Sequence, residues 1–94
     1  MEIGTHVVVR TYSAGVHVGV LARQNGRIVE LTDARRIWRW FGANTLNEVA
    51  NNGVDADSSC ISEPVARIEL TEAIELIPTT ETARRSLLVS GWKK

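Results

Sequence analysis

The chain has 94 residues, 44% of them hydrophobic and 23% charged, which fits one globular domain spanning residues 1–94 and excludes both a second domain and a disordered segment. Its 11 basic residues are balanced by 11 acidic ones. Proteins that grip duplex DNA carry a positive excess, because phosphate neutralisation supplies most of their affinity, so general nucleic-acid binding is disfavoured.

The first third reads as β structure. Thr5 to Tyr12 and Val16 to Arg23 are rich in Val and Thr, joined by Ser13-Ala14-Gly15. Asn25-Gly26 is the strongest hairpin signal, since both residues accept the positive φ of a type I′ turn, and Arg27 to Thr32 is then the returning strand. A register with Tyr12 opposite Val16, and Gln24 opposite Arg27, puts Val8, Val16, Val18, Val20, Ala22, Val29 and Leu31 on one apolar face. Arg10 and Tyr12 intrude on that face. Asp33 to Phe41 reads as a fourth strand, with a helix as the competing reading over so few residues. As a strand it presents Arg36, Trp38 and Trp40 on one side, and Arg35, Ile37, Arg39 and Phe41 on the other.

Thr45-Leu46-Asn47-Glu48 matches a capping box, followed by the apolar stripe Leu46, Val49, Ala50 and a stop at Gly53. Asn51 to Cys60 is polar and small, and reads as a loop. Val65 to Leu70 and Ala73 to Ile77 form two further strands, closed by Pro78. Thr79 or Thr80 caps a last helix through Ala83, Leu87 and Leu88 that ends at Gly91, with Trp92 folding back. The expected fold is therefore α+β: an N-terminal antiparallel β meander, a short central helix, two further strands and a C-terminal helix.

Enzyme chemistry is hard to find. His6 and His17 sit on adjacent strands but on opposite faces, the register pairs them with Ala22 and Thr11, and each reads as a sheet-edge strand residue. No Cys or carboxylate pattern completes a metal site. Cys60, the single cysteine, has no basic neighbour to activate it, cannot form an intrachain disulfide and fits a reducing compartment. Gly15-Val16-His17-Val18-Gly19 lies in β sequence and lacks a phosphate-loop pattern, and Glu69, Glu72 and Glu75 are scattered. The start Met1-Glu2-Ile3-Gly4 lacks a signal-peptide pattern, and no apolar run approaches the roughly 20 residues of a membrane helix. The expectation is a non-catalytic cytoplasmic protein without cofactor or metal.

Two segments carry ligand chemistry. Ala34 to Phe41 gathers Arg35, Arg36, Trp38, Arg39 and Trp40. Guanidinium groups donate in pairs to phosphate and indole faces stack on bases, which is the combination that holds a nucleotide. The plain alternative is that the Trp residues fill the core and the Arg residues form a solvated face. The second segment is Arg10, Thr11, Tyr12 and Ser13 with Ala14-Gly15, where small residues let a ligand approach backbone N–H groups. Its plain alternative is an ordinary hairpin connection.

The strings Val9-Arg10-Thr11-Tyr12-Ser13-Ala14-Gly15-Val16-His17-Val18-Gly19 and Leu31-Thr32-Asp33-Ala34-Arg35-Arg36-Ile37-Trp38-Arg39-Trp40 resemble a family of small uncharacterised proteins of tailed bacteriophages. The likeness continues through Gly42-Ala43 and Thr45-Leu46 to Ile61-Ser62-Glu63-Pro64 and Glu69 to Glu75, so it covers most of the chain. It assigns no residue a role. What it implies is a setting: an infected bacterium and the contest with host defences.

The expected function is that of an accessory protein that sequesters an anionic nucleotide-type molecule. The alternative is a protein–protein inhibitor that presents its Arg/Trp surface to a bacterial host enzyme, since Trp, Tyr and Arg dominate such interfaces. A domain this small gains stability by pairing with copies of itself, so a homo-oligomer is expected as well.

Overall fold

In a computed structural model, which describes residues 1–89, the valine-rich segments form the expected antiparallel meander of β1 (His6–Thr11), β2 (Val16–Asn25) and β3 (Ile28–Arg39). The β1–β2 register differs from the expected one by two residues, with Arg10 opposite Val16 and Val8 opposite Val18. A longer connection causes the slip. The Thr11 hydroxyl donates to Gly15 O at 2.7 Å and accepts from Ala14 N at 2.8 Å, which closes a loop over Thr11–Gly15. A two-residue slip keeps each side chain on its face, so Val8 and Val18 stay together. Tyr12 falls outside β1 and is 78% exposed, and Arg10 is also exposed, so neither intrudes on the core.

The β2–β3 turn is Gly26-Arg27, with Asn25 opposite Ile28. Gly26 has φ +59 and Arg27 does not have positive φ, the sign pattern of a type II′ rather than a type I′ turn.

The larger correction concerns β3. Asp33 to Arg39 is not a fourth strand but the second half of the third, continued through a bulge. Val20 pairs with Thr32 and Val18 with Arg35, so Asp33 and Ala34 together oppose Gly19. Asp33 takes the left-handed conformation (φ +48), which Asp tolerates better than most residues. One extra residue reverses the phase of the strand. Val29 and Leu31 face one side, with Val7, Val9 and Leu21; past the bulge it is Ala34 that faces that side, while Arg35 and Ile37 turn to the other, with Val8 and Val18. A second irregularity, between Leu21 and Arg23 of β2, puts Leu31 opposite Leu21 instead of Val20, so the single apolar face expected from simple alternation is divided between two cores.

Gly19 makes the bulge possible. A Cβ there would lie 2.9 Å from Thr32 O and 3.1 Å from Leu31 Cβ, both parts of the opposite strand that cannot swing away. Gly19→Ala is expected to cost on the order of 1–2 kcal/mol in urea unfolding, as overpacking does. A variant as stable as the parent would show that β3 can shift without loss.

The rest of the chain covers the two faces. Strands β5 (Val65–Leu70) and β6 (Ala73–Pro78) pair with β3 and β1 respectively and run in the same direction, so they act as one strand broken at Thr71-Glu72. They help the sheet curl around the first core, which holds Val7, Val9, Leu21, Val29, Leu31, Ala34, Leu70 and Ala73. The two-residue β4 (Cys60–Ile61), which begins on the last residue of the segment expected to be loop, pairs with the end of β3. On the other face, α1 (Leu46–Asn52) and α2 (Glu81–Val89) supply Val49, Ala50 and Leu87 to the second core, against Val8, Val18, Ile37 and Ile61.

Thr45 caps α1 by accepting from Glu48 N at 3.3 Å; Glu48 reaches back to Asn44 N rather than to Thr45 itself. Gly53 ends the helix with φ +83, its N–H bonded to Val49 O. Thr80 caps α2 through Ala83 N at 3.1 Å. The expected helix end at Gly91 and the return of Trp92 lie outside the described residues. The architecture is α+β, as the sequence predicts.

Candidate functional site

Two clefts receive most of the residues that the sequence singles out, though neither Trp38 nor Arg39. The first, about 450 Å³, is lined by Arg10, Thr11, Tyr12, Ser13, Gly15, Val16, Trp40 and Leu46. It joins the β1–β2 connection to the end of β3, which puts two segments distant in sequence on one surface. Past Arg39 the chain leaves the strand, and Trp40 packs toward the helix-side core with Leu46 and Val16. Trp40 is therefore separated from Trp38, with which alternation groups it. Trp38 is 50% exposed and is not part of this cleft.

The side chains of the cleft divide between scaffold and free groups. Thr11 is buried and its hydroxyl is committed to Gly15 and Ala14, so it shapes the loop instead of meeting a ligand. Ser13 Oγ donates to Glu72 Oε1 at 2.7 Å, and Tyr12 N to Glu72 O at 2.9 Å, which anchors the loop to the β5–β6 break. Arg10 has one long contact, 3.5 Å to Glu75, with both side chains about half exposed, so its guanidinium keeps most of its donors. Tyr12 and Trp40 offer aromatic surface. The cleft thus presents a cation beside two rings.

Arg35 belongs elsewhere. It is 6% exposed, and it donates from Nη1 to Leu87 O at 2.7 Å and Leu88 O at 3.1 Å, and from Nε to Ser62 O at 2.9 Å. Its charge sits against the carbonyls near the C-terminal end of α2, where the helix dipole favours a cation. Burial lowers its pKa from the ordinary value. These donors serve the fold, although the residue also lines the second, smaller cleft. The Arg39 guanidinium lies 5.3 Å from the centroid of the Phe41 ring, a cation–π contact on an exposed surface.

Arg36 is exposed and lines the second cleft, of about 260 Å³, with His17, Ala34, Arg35, Ser62, Glu63, Val65 and Ile68. Arg36 and Arg39 therefore do not share a cleft with Trp40, and one ligand bridging all of them does not fit this geometry.

The histidines lie on opposite faces, as expected, but neither is a sheet-edge residue. His6 pairs with Val20 and His17 with Val9, and both are buried. Thr79 Oγ1 donates to His6 O at 3.1 Å and lies 2.7 Å from His6 Nδ1, which places the ring proton on Nδ1. Burial, with Arg84 adding to it and Glu81 opposing, lowers the His6 pKa to about 4. His17 Nε2 donates to Ala14 O at 2.9 Å, and burial lowers its pKa too, against the effect of that hydrogen bond. His17 is the site residue that the sequence reading does not single out. Its placement in a cleft depends on the bulge opposite Gly19, which periodicity alone does not show.

Among the described residues no group of three or more His, Cys, Asp or Glu could hold a metal ion, and no helix is long and apolar enough to cross a membrane. No curated protein and no solved structure matches the chain. A family model does, over residues 4–87, and the chain accordingly belongs to the family described as a domain of unknown function, DUF6948.

Proposed function

We propose that this protein is a non-catalytic binding protein that captures a small anionic molecule of nucleotide type in the cleft formed by Arg10, Tyr12 and Trp40. The observation that supports this most is convergence. The two segments with the right chemistry, about thirty residues apart in sequence, line one concavity of about 450 Å³, within the ~300–1,000 Å³ of small-ligand sites. Arg10 supplies the charge for a phosphate and the rings supply stacking faces. Capture needs no acid, base or nucleophile in the cleft. The resemblance to proteins of tailed bacteriophages supplies a setting, in which the ligand is a nucleotide signal of host defence and the protein a cytoplasmic sponge, acting as a homo-oligomer. Sedimentation that shows a monomer at high micromolar concentration defeats the oligomer.

Calorimetry against a panel of linear and cyclic nucleotides tests the site. Arg10→Ala is expected to weaken binding by roughly ten- to hundred-fold. Tyr12→Ala, at a position exposed enough to leave the fold intact, should cost about 1–3 kcal/mol of binding. Equal affinity in both folded variants rejects the cleft.

A second reading has its own observation: Trp38 and Phe41 are 50% and 43% exposed, and Arg39 stacks on Phe41, which forms an aromatic and cationic surface suited to a protein partner. Native mass spectrometry of protein purified from bacterial lysate separates the readings, since a retained small molecule supports the first and a retained host protein the second.

A further inference from the structure

The cleft beside the β3 bulge is unused by the nucleotide reading and has a chemistry of its own. At about 260 Å³ it is smaller than pockets for drug-sized ligands, and Ala34, Val65 and Ile68 give it apolar walls. His17 belongs to its lining although the residue is only 1% exposed. Because Nε2 donates to Ala14 O, the neutral ring has a lone pair on Nδ1. Among the described residues Nδ1 has no hydrogen-bond partner, yet no sealed side-chain nitrogen or oxygen lacks one, so this nitrogen is what His17 leaves accessible. Burial keeps the imidazole neutral at pH 7, hence an acceptor. At the mouth Arg36 and Glu63 are both exposed, and neither forms an ion pair among the described residues. A carboxylate beside the arginine disfavours a simple anion, and the size disfavours a nucleotide.

We propose that this cleft binds a small amphoteric molecule of amino-acid size. Its carboxylate meets Arg36 and its ammonium meets Glu63. Its apolar body lies against Ala34, Val65 and Ile68, and a side-chain N–H or O–H donates to His17 Nδ1. Each feature of the ligand answers one feature of the cleft: a cation, an anion, apolar walls and an accessible acceptor without a donor.

L-tryptophan is a suitable probe, because it carries a carboxylate, an ammonium, an apolar ring and an N–H donor. Indole-3-acetate, which lacks the ammonium, is the control. In side-chain nitrogen NMR of the full chain at pH 7.5, L-tryptophan is expected to move the His17 Nδ1 resonance and leave those of His6 in place. Indole-3-acetate should bind about ten-fold more weakly or worse, and Arg36→Ala should weaken L-tryptophan binding by about the same factor. Tyr12→Ala, which disables the other cleft, should change nothing here, so either reading can fail alone. A His17 Nδ1 resonance that stays still at millimolar L-tryptophan overturns the proposal, as does full-strength binding in folded Arg36→Ala protein.

Discussion

Arg35→Leu should lower the stability of the fold by about 3–5 kcal/mol, enough to bring a domain of this size close to unfolding. The substitution removes the donors to Leu87 O, Leu88 O and Ser62 O, and so loosens the end of α2 and the segment after β4 together. Buried carbonyls without donors lose about 1–3 kcal/mol each, less where water enters. Leucine does provide apolar contact with the second core, so the loss is of hydrogen bonds and not of volume. Thermal unfolding should show a fall in Tm of roughly 15–30 °C. Arg35→Lys, which keeps the charge but cannot form the fork, should lie between leucine and the parent. If the leucine variant unfolds within about 1 kcal/mol of the parent, the helix end is held by its apolar contacts alone, and this account of Arg35 is wrong.

The second large effect is a loss of stability in mild acid. In the unfolded chain His6 titrates near 6.5, and in the fold at about 4. Between those values the unfolded state binds the extra proton, so stability is complete above about pH 6.5 and falls as the pH drops toward 4. The size is on the order of 2–3 kcal/mol from His6. His17, whose pKa is also lowered, contributes in the same direction. Urea unfolding at pH 7.5 and pH 4.5 measures the fall, and His6→Asn isolates it, because the amide can still donate to Thr79 but does not titrate. The parent should lose more stability than the variant over this interval. Parallel losses in the two proteins would assign the acid sensitivity to carboxylates instead.

The fold is largely legible in the sequence, because most elements follow from local chemistry. Asn25-Gly26 marks the hairpin, Thr45 and Gly53 bracket α1, and the apolar segments before Pro78 give β5 and β6. Several of the failures come from irregular strand pairing. Alternation assumes that each residue advances the strand by one step, and the irregularities between Leu21 and Arg23 and at Asp33-Ala34 break that assumption. An Asp within a β run was a visible sign of left-handed backbone, but its consequence depends on which residue stands opposite. Here that residue is Gly19, a cross-strand fact that no local pattern contains. Once the phase reverses, Arg35 enters the helix-side core and Arg36 moves into a cleft with His17. The sequence shows the types of the candidate residues but not how they are grouped. Arg10, Tyr12 and Trp40 do meet, whereas Trp38, Arg36 and Arg39 are placed elsewhere by a bulge and by a strand that ends one residue before Trp40.

The pairing of β1 with β6 has a consequence for synthesis. Val7 to Thr11 find their second partner strand about seventy residues later, at Ala73 to Pro78. As the chain emerges, the meander can form on the ribosome, but β1 keeps an open edge, and the helix-side face of Val8 and Val18, covered in part by Val49 and Ala50 of α1, is not complete until α2 brings Leu87. Open strand edges and bare apolar faces recruit other chains. The interval between β3 and α2 is thus the period of greatest exposure to chaperones and to misassembly, and folding completes as one late step in which β6 seals the edge and α2 the face.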